Sequence, residues 1–199
     1  MPKRLPPKTQ PVSQNSEAFL SVHLAADAED AIYRKIQSAL EEKPELLTIE
    51  LIGHSALTTD LCLALFQLLT SGKNPATKIL LKVNCSLVDG QVLLVCAADR
   101  VQFAPRRFVR VTSHERFLEI LERCRDTAGV VEEVHENSAG AEYGEILKIL
   151  NQYLPVAEFF DQQVPLEKLS EYFAEDEGLQ EILSKGSLGS ESRSVASVG

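Results

Sequence analysis

Continuous hydrophobic runs alternate along the chain with stretches in which hydrophobic residues recur every three or four positions. The runs Leu46–Ile52 (LLTIELI) and 78–84 (KILLKVN) are rich in leucine and β-branched residues. Such runs are typical of strands that are buried on both faces, as in parallel sheets. A short run at 18–24 (AFLSVHL) predicts one more strand ahead of them.

Two amphipathic helices are predicted between these strands. We expect Asp27 to cap the first helix, and its hydrophobic positions fall on one face. These positions are Ile32, Ile36, Ala39 and Leu40. Thr58 or Thr59 is the expected cap of the second helix, and Gly72 is expected just past its end. The buried stripe of the second helix is Leu61, Leu65, Leu68 and Leu69.

The stretch 83–105 (VNCSLVDGQVLLVCAADRVQFAP) is expected to lie at the centre of the predicted domain. A strand leads to Asp89 and Gly90, and a helix that is hydrophobic on every side follows to about residue 98. Strands are predicted next at 101–103 and 108–112. A helix that is hydrophobic all round and lies between strands is expected to be buried. The order β-α-β-α-β-α-β-β predicts an α/β fold with a mostly parallel sheet.

After residue 113 the pattern changes from strands to helices. Helices are predicted at 115–125 and at 141–154, with an acidic loop (VVEEVHENSAG) between them. Pro165 is expected near the first turn of another helix, and a last helix is predicted at 177–183.

Length and composition favour a single domain. The chain has 199 residues, of which 44% are hydrophobic, and we expect one domain over 18–184 with disordered segments at 1–17 and 185–199. The net charge of −9 argues against binding to nucleic acid or to an anionic membrane surface. No hydrophobic run approaches the roughly 20 residues of a membrane-spanning helix. The first residues also lack the hydrophobic stretch of a signal peptide, which predicts a cytoplasmic protein.

Cysteine and histidine residues are scattered along the chain. The four cysteines lack C-x-x-C spacing, and the four histidines are equally dispersed. We therefore expect neither disulfides nor a metal site. Because neither G-x-G-x-x-G nor G-x-x-x-x-G-K-[ST] occurs, no nucleotide cofactor is predicted.

The run 88–105 (VDGQVLLVCAADRVQFAP) resembles the central segment of the Clp protease proteolytic subunits and of the signal peptide peptidases. In those families a small residue, the nucleophilic serine and a glycine open a buried helix that leads into a strand ending in proline. Val88, Asp89 and Gly90 occupy these places. The resemblance implies a Clp-crotonase-like fold of repeated β-α units with C-terminal helices.

The resemblance also implies positions for a catalytic triad. His114 follows Asp89 by about 25 residues, as the catalytic histidine follows the serine in the family. Asp161 is the match for the third member, so the triad positions are Asp89, His114 and Asp161. Homo-oligomers are expected as well. We expect the amphipathic helix at 141–154 to form the subunit contacts, because its hydrophobic stripe must be covered.

Two departures from the family pattern predict loss of peptidase activity. The Asp89 carboxylate has no proton for a histidine to remove, and its acyl product would be a labile anhydride. The glycine pair that supplies oxyanion donors in the family is replaced by Gly53-His54-Ser55-Ala56. The first hypothesis is therefore a catalytically degenerate Clp protease-like protein that acts by assembly or by binding a protein partner.

Other interpretations stay open at this stage. The protein is alternatively a hydrolase with a rearranged site that uses Asp89 and His114, or Ser86 or Cys85 as the nucleophile. A third interpretation is an α/β interaction module without peptidase ancestry. Structural roles are also possible for each residue. Asp89 would be an N-cap that accepts a hydrogen bond from the amide of Gln91 or Val92, and His114 would end a strand or begin the next helix.

Overall fold

The computed structural model describes residues 17–128 and 133–173. Seven strands and five α-helices lie in these two ranges. The strands are β1 (Glu17–His23), β2 (Leu46–Ile52), β3 (Lys78–Val83), β4 (Leu87–Val88), β5 (Arg100–Phe103), β6 (Phe108–Arg110) and β7 (Val164–Pro165). The helices are α1 (Glu29–Glu41), α2 (Thr59–Thr70), α3 (Val92–Cys96), α4 (His114–Ala128) and α5 (Glu133–Leu150). Short 3₁₀ turns occur at Asp89–Gln91, Val156–Phe159 and Leu166–Glu171.

The main sheet has the order β1-β2-β3-β5, and all of its strands are parallel. The neighbours Leu20, Ile49 and Leu81 are in register across it and face the hydrophobic core. Right-handed crossovers between sequential parallel strands place the connecting helices on one face of a sheet. The predicted α/β fold with a mostly parallel sheet is confirmed.

Beside the main sheet lies a smaller one with the order β4-β6-β7. Strands β4 and β6 are parallel, whereas β6 and β7 are antiparallel. Helix α3 connects the two sheets, and each of its five residues is at most 8% exposed. The prediction of a buried central helix is therefore confirmed, although the α-helical part begins at Val92, after the 3₁₀ turn.

Two predicted details at helix ends are wrong. Asp27 does not cap α1, because the N-cap is Ala28; the Asp27 carboxylate instead accepts hydrogen bonds from His23 N–H and Lys35. The acidic segment predicted as a loop is helical from Glu133 onward. Gly140 lies in that helix, and α4 passes close to it: a Cβ atom at this position would lie 3.0 Å from Leu118 Cδ2.

Other predicted segments lie partly or wholly outside the described residues. The arm at 1–17 lies outside them apart from Glu17, with which β1 begins. The tail at 185–199 and the helix at 177–183 lie outside them entirely. After Pro165 the chain forms a 3₁₀ turn and not the predicted α-helix. Within 17–128 and 133–173, no helix is both long and apolar enough to cross a membrane.

Candidate functional site

Asp89 occupies the turn between β4 and α3 in a left-handed backbone conformation, with φ of 49°. Aspartate and asparagine adopt this conformation more readily than most residues. Its Oδ1 atom accepts a hydrogen bond from Thr112 N–H at 2.7 Å and lies 2.9 Å from the Tyr143 hydroxyl. The interpretation of Asp89 as an N-cap for Gln91 or Val92 is wrong, because donors from distant parts of the chain occupy the carboxylate.

Tyr143 is the α5 residue that completes this contact. Its hydroxyl lies 2.7 Å from the Thr112 carbonyl oxygen as well, so its single proton is shared between the carbonyl and Asp89. The ring is 1% exposed and stacks on Phe117 of α4, with centroids 4.0 Å apart. Burial and then the charge of Asp89 raise the pKa of Tyr143. The phenol is therefore held as a neutral donor.

Sequence reasoning missed Tyr143, although a signal existed. It precedes Ile146 and Leu150 at helical spacing on the buried face of α5. A tyrosine on a buried stripe needs a polar partner for its hydroxyl. The pattern therefore indicates that a partner exists but does not identify Asp89 as that partner.

Gly90 and Gln91 fix the turn next to Asp89. A Cβ atom at Gly90 would lie 2.8 Å from Ile146 Cδ1 and 2.9 Å from Cys62 Cβ, so α5 and α2 both approach the turn closely. Gln91 is 1% exposed. Its side chain accepts from Val88 N–H at 3.0 Å and donates to the Ser55 carbonyl. These contacts join the turn to the loop after β2, which contains Gly53, His54, Ser55 and Ala56.

His114 is the first residue of α4, so the prediction that it ends a strand is wrong and the alternative that it begins the helix is confirmed. Its exposed ring has Nε2 3.1 Å from the Gly140 carbonyl oxygen, an acceptor to which Nε2–H donates. The structure describes both Asp89 and His114, and neither a hydrogen bond nor an ion pair joins their side chains.

Asp161, like Asp89, binds the main chain of the segment that precedes α4. Its Oδ1 accepts from Ser113 N–H at 3.2 Å and lies 3.8 Å from Arg116 Nε. The hydrogen bond from Ser113 and the nearby arginines lower the pKa of the Asp161 carboxyl. Asp89 and Asp161 thus bind the amides of Thr112 and Ser113, the two residues before His114. The predicted triad positions are connected through these main-chain amides, and not by contacts among their side chains.

The alternative nucleophiles have no activating partner among the described residues. Ser86 Oγ accepts a hydrogen bond from Phe108 N–H at 3.3 Å, and no histidine side chain contacts it. Cys85 is fully buried, and burial raises the pKa of its thiol to about 11. A thiol at this pKa is not a nucleophile near neutral pH. No three acidic, histidine or cysteine side chains in the described ranges are grouped so that they could hold a metal ion.

A cavity of about 390 Å³ opens beside Asp89, between the start of α2 and the facing side of α5. Three acidic residues, Asp60, Asp89 and Glu142, are among those that line it. The Glu142 carboxyl shares a hydrogen bond with Asp60 and raises the pKa of Asp60. Glu29 accepts hydrogen bonds from Thr58 N–H and Oγ1 at 2.8 and 2.7 Å. The three acidic side chains in the lining disfavour an anionic ligand or an oxyanion.

Comparisons with known proteins give a limited result. No family model matches the chain, and no curated protein matches it. Among solved structures, it is similar to the 1510-N membrane protease from Pyrococcus horikoshii, which is specific for a stomatin homolog. The two chains are 15% identical, the likeness covers 85% of this chain and 78% of that chain, and the TM-score is 0.42. Because these values are low, we infer the function from the site itself.

Proposed function

We propose that the protein is a catalytically inactive relative of the Clp protease proteolytic subunits that acts by assembly or by binding a protein partner. The observation that carries the proposal is the contact of Asp89 with Thr112 and Tyr143. At the position that resembles the nucleophile, the side chain is a hydrogen-bond acceptor that holds Thr112, which follows β6, and helix α5 near the turn.

Three observations at this site support the loss of acyl-transfer activity. Acyl transfer needs a nucleophile with a removable proton, a base in contact with it, and donors for the oxyanion. Asp89 supplies no hydroxyl, and the His114 ring is engaged with the Gly140 carbonyl. The Ser55 carbonyl in the loop after β2 accepts a hydrogen bond from Gln91, and Asp60, Asp89 and Glu142 line the adjacent cavity. These contacts support a structural role for the former catalytic region.

The direct test combines a fluorophosphonate probe, which labels activated serines, with a casein-like substrate. We expect neither labelling nor cleavage by the wild-type protein, with an active serine peptidase as the positive control. We expect Asp89→Ser to stay inactive too, because His114 is not in contact with position 89. If the probe labelled a serine in the wild-type protein and the labelling were lost in His114→Ala, the proposal would be refuted and the rearranged hydrolase favoured.

A further inference from the structure

The main sheet ends at β1, whose outer edge has no neighbouring strand in the described ranges. Leu24 N–H donates to the Ile52 carbonyl at 2.9 Å, so the even-numbered residues of β1 direct their main-chain groups toward β2. Because a strand alternates, Glu17, Phe19 and Ser21 direct theirs outward. None of these outward groups has a hydrogen-bond partner in the part of the chain that the structure describes.

The free edge is closed at its C-terminal end. His23 N–H donates to Asp27 Oδ2 at 2.9 Å, and the His23 carbonyl accepts from Ala26 N–H at 3.1 Å. Lys35 lies 2.7 Å from the other Asp27 oxygen. Since these contacts occupy both outward groups of His23, only the three outward residues before it are available for pairing.

Phe19 lies at the middle of the free edge. With a relative exposure of 64%, it is the most exposed large hydrophobic residue among those described. It neighbours Thr48 on β2, on the sheet face opposite the hydrophobic core. The hydroxyl of Ser21, on the same face, is shielded from solvent and has no hydrogen-bond partner within 17–128 and 133–173. An unpaired edge with an exposed aromatic side chain is a site for strand addition.

We propose that β1 of a second copy of the chain pairs antiparallel with this edge, about a two-fold axis at Phe19. In this register Phe19 faces Phe19 of the partner subunit, and Glu17 faces Ser21 of the partner subunit. All outward groups are then paired, in about six main-chain hydrogen bonds. The inference rests on the proposed function, because it names the partner in the assembly.

Charge and symmetry also favour a second copy as the occupant. The Glu17 carboxylate would lie opposite the Ser21 hydroxyl of the partner subunit and diagonal to the partner's His23, so no like charges face each other. A two-fold contact uses the same edge on both copies and leaves neither free. The product is a closed dimer with one continuous sheet, and not an open chain of copies.

Sedimentation equilibrium on the full chain tests the pairing. We expect a dimer for the wild-type protein and a monomer for Phe19→Lys, because two lysines would face each other across the axis. Ser21→Pro removes only an outward N–H and is also expected to be monomeric. Ile120→Lys is the matched control, since Ile120 is 43% exposed on α4 and should leave the dimer intact. Circular dichroism melts verify that each variant is folded.

Cysteine cross-linking in a Cys124→Ser background tests the register. Facing residues of a hydrogen-bonded antiparallel pair have Cα atoms about 5.5 Å apart, within disulfide range, so Phe19→Cys should form a covalent dimer on oxidation. The two copies of position 17 would be about 14 Å apart, so Glu17→Cys should not cross-link. A monomeric wild-type protein, or a dimer that Ile120→Lys disrupts and Phe19→Lys does not, would overturn the pairing. The fluorophosphonate probe measures peptidase activity separately. Failure of the strand pairing can therefore be distinguished from failure of the proposed function.

Discussion

Tyr143 and Asp89 are 54 residues apart in sequence, and the hydroxyl of the first lies 2.9 Å from the carboxylate of the second. The same carboxylate oxygen accepts from Thr112 N–H at 2.7 Å. One acidic side chain therefore connects the turn before α3, the segment between β6 and α4, and helix α5. Hydrogen bonds to charged groups are stronger than those between neutral groups.

Substitutions of Asp89 are expected to lower stability in a graded way. Asp89→Asn keeps an oxygen acceptor and tolerates the left-handed backbone, so we expect a loss of about 1 kcal/mol in the free energy of unfolding. Asp89→Ala leaves Thr112 N–H without an acceptor and places alanine at positive φ, so we expect a loss of about 2–3 kcal/mol. Urea denaturation measures both. Equal stability of the two variants would contradict the structural role of the carboxylate.

This contact also marks how far the sequence can predict the structure. The strands β2 and β3, the stripes of α1 and α2 and the buried α3 follow from local hydrophobic patterns, and all were predicted. The partners of Asp89 were not, because a local rule assigns an aspartate at a helix start to the nearby amides. In the folded chain, Thr112 and Tyr143 provide the donors, and no local pattern indicates that they meet Asp89.

The same limit applies to His114 and Asp161. The resemblance predicts their spacing from Asp89, and the structure shows Asp89 and Asp161 bound to the amides of Thr112 and Ser113, just before His114. Spacing does not determine the orientation of a side chain, however. His114 contacts the Gly140 carbonyl because the helical segment that begins at Glu133, part of which was predicted as a loop, passes beside α4.

Alkaline titration is expected to distinguish Tyr143 from the other tyrosines. Its pKa is raised by burial and by the charge of Asp89, so it should remain protonated while the protein is folded. A raised folded-state pKa contributes stability that is fully present below the unfolded pKa of about 10 and is lost as the pH rises toward the folded value. Absorbance at alkaline pH should show Tyr143 ionising together with unfolding. In Tyr143→Phe this late step should be absent.

The reactivity of the cysteines should follow their burial. Burial raises the pKa of Cys62 and Cys96 to about 12 and that of Cys85 to about 11, whereas Cys124 is exposed. We expect a thiol reagent near pH 8 to modify Cys124 alone in the folded protein, and the other three only after unfolding in urea. Rapid modification of a second thiol in the native protein would show that the core around α3 opens more easily than the packing indicates. Cys124→Ser is the control that should remove the fast phase.

The packing around the Asp89 turn can be tested with two glycines that receive the same additional methyl group. At Gly90 the new Cβ would lie 2.8 Å from Ile146 Cδ1 and 2.9 Å from Cys62 Cβ, so α5 or α2 must shift. We expect Gly90→Ala to lower the free energy of unfolding by about 1–3 kcal/mol.

At Gly144, within α5, the new Cβ would have its nearest contact at 3.7 Å, to His114 Nε2, which is an ordinary van der Waals distance. Alanine is the better helix former, so Gly144→Ala should raise the free energy of unfolding by about 0.5–1 kcal/mol. The two variants should therefore shift the urea midpoint in opposite directions. If Gly90→Ala were as stable as the wild-type protein, close packing of α2 and α5 against the turn would not be needed for stability. The orientation of Asp89 toward Tyr143 would then have to depend on other contacts.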